Sequence, residues 1–296
     1  METDAAHELH STGEDGSTGV SVIMTVLNER RHIEAAVRAV LEQDYAGPFE
    51  LVLALGKAAY DVIVRVDGHS VLPPSYVSTA VAVLMETGAD NVGGIMAAAG
   101  SEPLEQAVAV AMNSWLGVGG ARFHLGGEAG PVDTVYLGAF RRSALQRVQG
   151  YDESLHRAQD WELNYRIRRS GGTVWFTPRM RVTYRPRGDL RSLAKQYFRT
   201  GQWRRTVVRQ HTDTVSLRYL APPAALLGFV GGLAAGAAGF APAFVLPGGY
   251  IVLIVLGSAV TGRGQSTAAR VRLPAVYATM HASWGLGFLF SPRKTR

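Results

Sequence analysis

The chain has 296 residues, 47% of them hydrophobic and 18% charged, which is too apolar for a disordered protein. It has no cysteine, so a disulfide framework and a thiolate metal site are both excluded. The net charge of +6 admits nucleic acid, anionic lipid or phosphate-bearing substrates as partners.

Residues 1–19 are polar and rich in Ser, Thr, Gly, Glu and Asp. They have no basic stretch leading into an apolar core, which predicts a disordered tail and not a secretory signal. Val20 to Leu27 (VSVIMTVL) is apolar and β-branched, the pattern of a strand buried on both faces. Asn28 offers a helix cap, and Ile33, Ala36, Val37, Val40 and Leu41 recur at helical spacing. Phe49 to Leu55 and Val62 to Val66 predict two more buried strands. After Asp67-Gly68-His69 and the turn Pro73-Pro74, Val77, Ala80, Val81, Leu84 and Met85 form a second helical stripe closed by Gly88. Strands alternating with amphipathic helices predict an α/β fold with a mainly parallel sheet.

Glu102 to Trp115 reads as a helix, Thr134 to Phe140 as a strand, and Trp161 to Ser170 as a helix ended by Gly171-Gly172. Arg179 to Arg209 is dense in arginine and carries Tyr184, Tyr197, Phe198 and Trp203. Ala221 to Val260 contains no charged residue and has room for two membrane helices of ~20 apolar residues each. Arg218 and Arg263 flank the pair, which predicts a hairpin with both ends on the cytoplasmic side. A pair of buried core helices is the poorer alternative. A third apolar stretch, Leu273 to Phe290, is followed by Arg293, Lys294 and Arg296. Spanning would place those charges outside, so an interfacial or re-entrant segment is expected.

Three groups of residues carry chemistry. Asp67 and His69 lie at the carboxyl end of a predicted strand, where open α/β sheets bind ligands. A carboxylate and an imidazole so placed suit a divalent cation that neutralises a diphosphate, against the bland reading of an Asp-Gly turn. Asp160 stands where a helix begins, as an N-cap or as a general base for a sugar hydroxyl. Glu162 is the poorer base, because Arg166 is within reach at i+4. Gln196, Arg199 and Trp203 belong to a basic amphipathic segment. That segment suits anionic lipid, and the same residues can close over a nucleotide diphosphate or an acceptor chain.

VSVIMTVLNE, VDGH, GYDESL with QDWELNYRIRR, and QYFRTGQWRR resemble, in order and spacing, the family-2 inverting glycosyltransferases. The membrane-bound type used in succinoglycan and related exopolysaccharide biosynthesis is the nearest, from about Val20 to the carboxyl end. The resemblance implies the nucleotide-diphospho-sugar transferase fold, GT-A. It implies that Thr25, Leu27 and Glu29 line the nucleotide site, and that Asp67 and His69 form the metal-binding DxD element with histidine as its second member. Mg²⁺ or Mn²⁺ would be the cofactor, with imidazole favouring manganese. Asp160 matches the catalytic base, and Gln159 stands where many relatives have glutamate. Asp133 to Gly138, with Phe140 and Arg141, matches the loop and strand under the acceptor. Gln196, Arg199 and Trp203 loosely resemble the QxxRW element of processive members, with the Trp displaced, which speaks against processivity.

One departure stands out. Only Gly56 to Tyr60 separates the strands predicted at 49–55 and 62–66, and a parallel crossover ordinarily takes a dozen residues or more. An internal deletion of about one βαβ unit near residues 56–60 is expected. The two strands would then form a hairpin, or one would be displaced, or the local fold would be incomplete.

The expected organisation is a tail at 1–19, a GT-A-like domain at 20–189, a basic interfacial segment at 190–218, a transmembrane hairpin at 219–262 and an interfacial or re-entrant segment at 263–296. The expected function is inverting transfer from a nucleotide-diphosphate sugar to a lipid-linked or polysaccharide acceptor. It would take place on the cytoplasmic side of the cell membrane, in contact with membrane lipid. The alternative is an inactive membrane scaffold. Nucleic acid is not an expected partner, since the adjacent hairpin accounts for the arginines more simply.

Overall fold

The computed structural model describes residues 17–25, 33–52, 59–67, 70–152, 155 and 158–292. Strand β1 (Val20–Thr25) forms at the first β-branched run, and helix α1 (Ile33–Leu41) carries the expected stripe. Strands β2 (Phe49–Val52) and β3 (Val62–Asp67) follow, and the continuation of the strand expected through residues 53–55 lies outside the described residues. Helix α2 (Tyr76–Thr87) stops at Gly88, whose φ of 65° is the left-handed cap that only glycine takes without strain. Strand β4 (Asn91–Ala98) leads to α3 (Pro103–Met112), opened by a reciprocal capping box between Glu102 and Glu105. Two single turns follow, α4 (Trp115–Val118) and α5 (Arg122–Leu125). Next come β5 (Gly130–Pro131), β6 (Tyr136–Arg141), α6 (Arg142–Arg147), α7 (Gln159–Arg169) and β7 (Val174–Tyr184). The remainder is helical: α8 (Leu190–Gln210), α9 (Leu217–Ala237), α10 (Val245–Thr261), α11 (Thr267–Arg270) and α12 (Leu273–Leu289).

The seven strands form one mixed sheet in the order β2-β1-β3-β6-β4-β7-β5. Both β2 and β3 run parallel to β1, with Phe49 and Val62 each level with Val20. Strand β6 is antiparallel to β3 and to β4, and β5 is antiparallel to β7. The hairpin alternative is therefore excluded, because β2 and β3 flank β1 and do not pair with each other. Nine residues lie between Val52 and Val62. The link returns only from the level of Ile23 to that of Val20 and crosses two strand spacings, roughly 14 Å. Nine residues reach about 30 Å when extended.

The chain divides into two compact units. The first takes in the described parts of Met1–Ala97, Gly126–Glu153 and Gln159–Thr183. Its larger core joins Val20, Val22 and Met24 of β1 and Val62, Val64 and Val66 of β3 to Ala36 and Val40 of α1 and Val77, Ala80 and Leu84 of α2. A second core sets Leu163 and Ile167 of α7 against Phe140, Val174 and Phe176. Most of each expected stripe faces this core, but Leu41 and Met85, expected in the stripes, are exposed.

The second unit holds Ala98–Leu125 and the residues from Tyr184 onward. Here α9 and the segment Ala241–Thr261 are each 21 residues and apolar enough to cross a membrane. Only 11% and 17% of their apolar windows are buried by protein, which is far from the covered state of a core helix pair. The turn between them comes at residues 238–240, and Pro242 falls in the first turn of the segment that follows, which suits proline. Helix α12 has 17 residues and packs along α8 and α9. The α8–α12 approach depends on glycine: a Cβ on Gly287 would come within 2.0 Å of the Phe198 carbonyl oxygen. The apolar residues Leu193, Trp203 and Val207 of α8 are buried within this unit.

Candidate active site

Alternation along β3 sends Val62, Val64 and Val66 into the larger core and leaves Ile63, Arg65 and Asp67 on the opposite side. Asp67 ends the strand and is level with Thr25, the last residue of β1. It therefore lies at the carboxyl edge of the parallel strands, the position where such sheets bind ligands.

Arg65 ties this edge to α7. Its Nη2 donates to Asp67 Oδ1 at 3.0 Å, and its Nη1 donates to Asp160 Oδ1 in the first turn of α7. The Tyr151 hydroxyl donates to the same Asp160 oxygen at 3.2 Å, and the guanidinium lies 5.8 Å from the Tyr151 ring centroid. Burial works against the charge on Arg65, but Asp160, with Tyr151 and Asp67, more than offsets it and holds the guanidinium above its ordinary value. Burial, reinforced by Asp160, likewise raises the Tyr151 phenol, so it acts as a neutral donor. Both bonds to Asp160 fall on Oδ1, which leaves Oδ2 able to accept a proton. The side chains of Asp67 and Asp160 are 21% and 40% exposed, so a ligand can reach both.

The surroundings are rigid. Glu162 is buried and forms a two-pronged ion pair with Arg166, both bonds 2.7 Å, which gives it the structural role expected at i+4. Trp161 is buried and stacks on Tyr165. The Tyr76 hydroxyl donates to Leu137 O at 2.7 Å, and Leu137 itself has φ 44°. Ala158, immediately before Gln159, has φ 60°. Such conformations in residues with side chains are uncommon and gather at functional sites. Arg141 serves the scaffold: its guanidinium donates to the carbonyls of Ala89 and Leu84 at the end of α2.

Asp67 and Asp160 are thus brought together on Arg65. Leu27, Glu29 and His69 lie outside the described residues. Gln196, Arg199 and Trp203 fall at i, i+3 and i+7 on α8, one stripe of that helix. Gln196 accepts from Arg187 and donates to the Tyr184 hydroxyl, Arg199 is exposed, and Trp203 is buried. Sequence reasoning missed Arg65 and Tyr151. A lone arginine in the apolar run VIVRVD, two residues before an aspartate, was the available signal.

A divalent cation fits this chemistry. Among the described residues no three His, Asp or Glu side chains form a ligand group. A hard cation that binds with its substrate needs only one or two carboxylates, and takes its other ligands from phosphate and water. The partly exposed Asp67 carboxylate suits that arrangement.

The succinoglycan biosynthesis protein ExoA of Rhizobium meliloti (strain 1021) is 33% identical to the chain over 239 residues, 78% of this chain and 69% of that protein. No protein-family profile matches the chain. Among solved structures, it is similar to the mannosyltransferase PcManGT from Pyrobaculum calidifontis in complex with GDP-Man and Mn²⁺. That match has a TM-score of 0.55 at 19% identity and covers 92% of this chain and 87% of the other, which supports the fold. By its identity with ExoA, sustained over more than two thirds of both proteins, the chain belongs to the family-2 glycosyltransferases of the succinoglycan-biosynthesis type, built on the GT-A fold.

Proposed function

We propose that the protein transfers a sugar, with inversion, from a nucleoside-diphosphate sugar to a lipid-linked or polysaccharide acceptor at the cytoplasmic surface of the cell membrane. The observation that carries this reading is the pair of carboxylates, Asp67 and Asp160, held on one guanidinium at the carboxyl edge of the sheet. Asp67, with His69, would hold Mg²⁺ or Mn²⁺ beside the diphosphate. The cation, when bound, neutralises phosphate charge. Thr25, Leu27 and Glu29 line the nucleotide.

Asp160 Oδ2 takes the proton of an acceptor hydroxyl as that oxygen attacks the anomeric carbon. The bond from that carbon to the diphosphate oxygen breaks on the opposite side, and the nucleoside diphosphate leaves with the electron pair. Arg65 and Tyr151 are positioning residues that hold Asp160 through Oδ1. Arg199, the exposed member of its stripe, supplies positive charge to a phosphate-bearing ligand, and Gln196 and Trp203 fix the helix that carries it. The helices Leu217–Ala237 and Ala241–Thr261 anchor the protein as a hairpin, with Arg218 and Arg263 on the cytoplasmic side.

The brief link between β2 and β3 favours a second reading, an inactive scaffold whose nucleotide pocket lacks a wall. Calorimetric titration of UDP and GDP into detergent-purified protein, with and without Mn²⁺, separates the two. The catalytic reading predicts metal-dependent binding that Asp67→Ala abolishes. Absence of binding by folded protein would leave the scaffold.

A further inference from the structure

The second unit contains a cavity of about 600 Å³ that this function leaves unused. It is bordered by the end of β4, by α3 and α4, and by the C-terminal end of α10 with the turn beyond it. Its volume is that of a small-molecule site. Its polar lining is Gln106, Asn113, Ser114, Thr261 and Gln265, none of them charged, and Trp115 stands beside them. The other lining residues are alanine, glycine and valine.

The polar groups are set in advance. The Tyr277 hydroxyl, fully buried on α12, lies 2.8 Å from Ser114 Oγ and 2.9 Å from Thr261 Oγ1. Asn113 Nδ2 donates to Ala98 O at 2.9 Å, which fixes the amide and leaves its Oδ1 as an acceptor. Trp115 is 72% exposed, a large apolar surface offered to solvent on a single helical turn.

This chemistry selects its ligand. A phosphate finds no cation in the lining to offset its charge. Ser114, Thr261 and Gln106 are hydrogen-bonded within the protein, and an acyl chain would cover the Asn113 Oδ1 and the exposed Gln265 amide without returning a hydrogen bond. A sugar has hydroxyls for Asn113 Oδ1 and the Gln265 amide, and an apolar face of C–H bonds for the indole. We propose that the cavity binds an uncharged saccharide, the sugar portion of the acceptor, with Trp115 as its stacking platform. This proposal rests on the glycosyltransferase reading above. It also places the sugar at the end of α10, where a lipid-carried acceptor would emerge from the membrane surface.

The test is saturation-transfer NMR on the full chain in nanodiscs, with lactose, cellobiose and maltose as neutral probes. At least one disaccharide should receive saturation. Trp115→Ala should reduce that signal about five-fold or more, the loss of one aromatic contact, and Asn113→Ala should weaken it too. Metal-dependent UDP or GDP binding should be unchanged in both variants, which shows that they fold. Loss of nucleotide binding in the wild type with saccharide binding intact would support the cavity and tell against the catalytic reading. No transfer from folded wild type to any probe would overturn the proposal. So would a signal that survives Trp115→Ala while vesicle flotation falls, since Trp115 would then be a membrane anchor.

Discussion

Arg65 and Asp160 stand 95 positions apart in sequence and are joined by an ion-paired hydrogen bond, Nη1 to Oδ1. The arginine side chain is 18% exposed, so the bond forms where water screens it weakly. With its second nitrogen on Asp67, one guanidinium holds both carboxylates of the proposed reaction.

Removing that cation should therefore harm both stability and catalysis. Arg65→Met leaves two neighbouring carboxylates without their shared partner, and should cost about 2–3 kcal/mol, below the range for fully buried pairs because Asp160 is partly exposed. Arg65→Lys keeps the charge but not the fork, and should fall between the two. Denaturant titration in detergent measures this. Wild-type stability in Arg65→Met would show that the pair contributes nothing.

The packing of α8 along α12 makes a second prediction. A methyl on Gly287 has no room beside Phe198 O, so Gly287→Ala should destabilise the helical unit by about 1–3 kcal/mol. A thermal unfolding curve identical to wild type would mean the two helices do not approach this closely.

A third prediction concerns pH. Burial pushes His124 down from 6.5 to about 4, and its Nδ1 is a buried atom without a hydrogen-bond partner among the described residues. The unfolded chain takes up a proton below 6.5 that the folded chain refuses until about 4. The stabilising contribution is therefore complete above pH 6.5 and lost as the pH falls towards 4. At pH 5 this group alone should lower stability by about 1–2 kcal/mol relative to pH 7. His124→Gln, which cannot charge, should flatten that part of the pH profile. Equal slopes for the two proteins would contradict it.

A fourth prediction fixes the topology of the hairpin. The chain has no cysteine, so single cysteines report without background. Phe240→Cys, exposed between the two apolar helices, should react with a membrane-impermeant maleimide added outside intact cells. Thr267→Cys, beyond α10, should react only after lysis. The reverse pattern, or equal labelling, would contradict a hairpin with cytoplasmic ends.

What the sequence discloses here is governed by range. The α2 stripe with its Gly88 stop, the head of α7 and the two apolar helices depend on neighbours within a few turns, so periodicity and capping reveal them. The two carboxylates were legible as chemistry at a strand end and a helix start. Arg65 was not, because its role depends on which way β3 turns its side chain and on a helix nearly a hundred residues later. The same holds for the glycine contact between α8 and α12, which leaves no periodic signal. The placement of β2 and β3 on either side of β1 was not legible, because an apolar run does not say which strand it pairs with. With pairing to Val52, the span to be crossed is short.

In the proposed reaction Asp160 removes a proton from the acceptor during sugar transfer. The direct measurement is transfer of radiolabelled sugar from a nucleotide donor to membrane lipid extract, by wild type and by Asp160→Asn, with nucleotide binding measured on the same samples. With Asp160 as general base, transfer should fall roughly a thousand-fold while Mn²⁺-dependent nucleotide binding is retained. Transfer by Asp160→Asn at a rate near that of the wild type would contradict it.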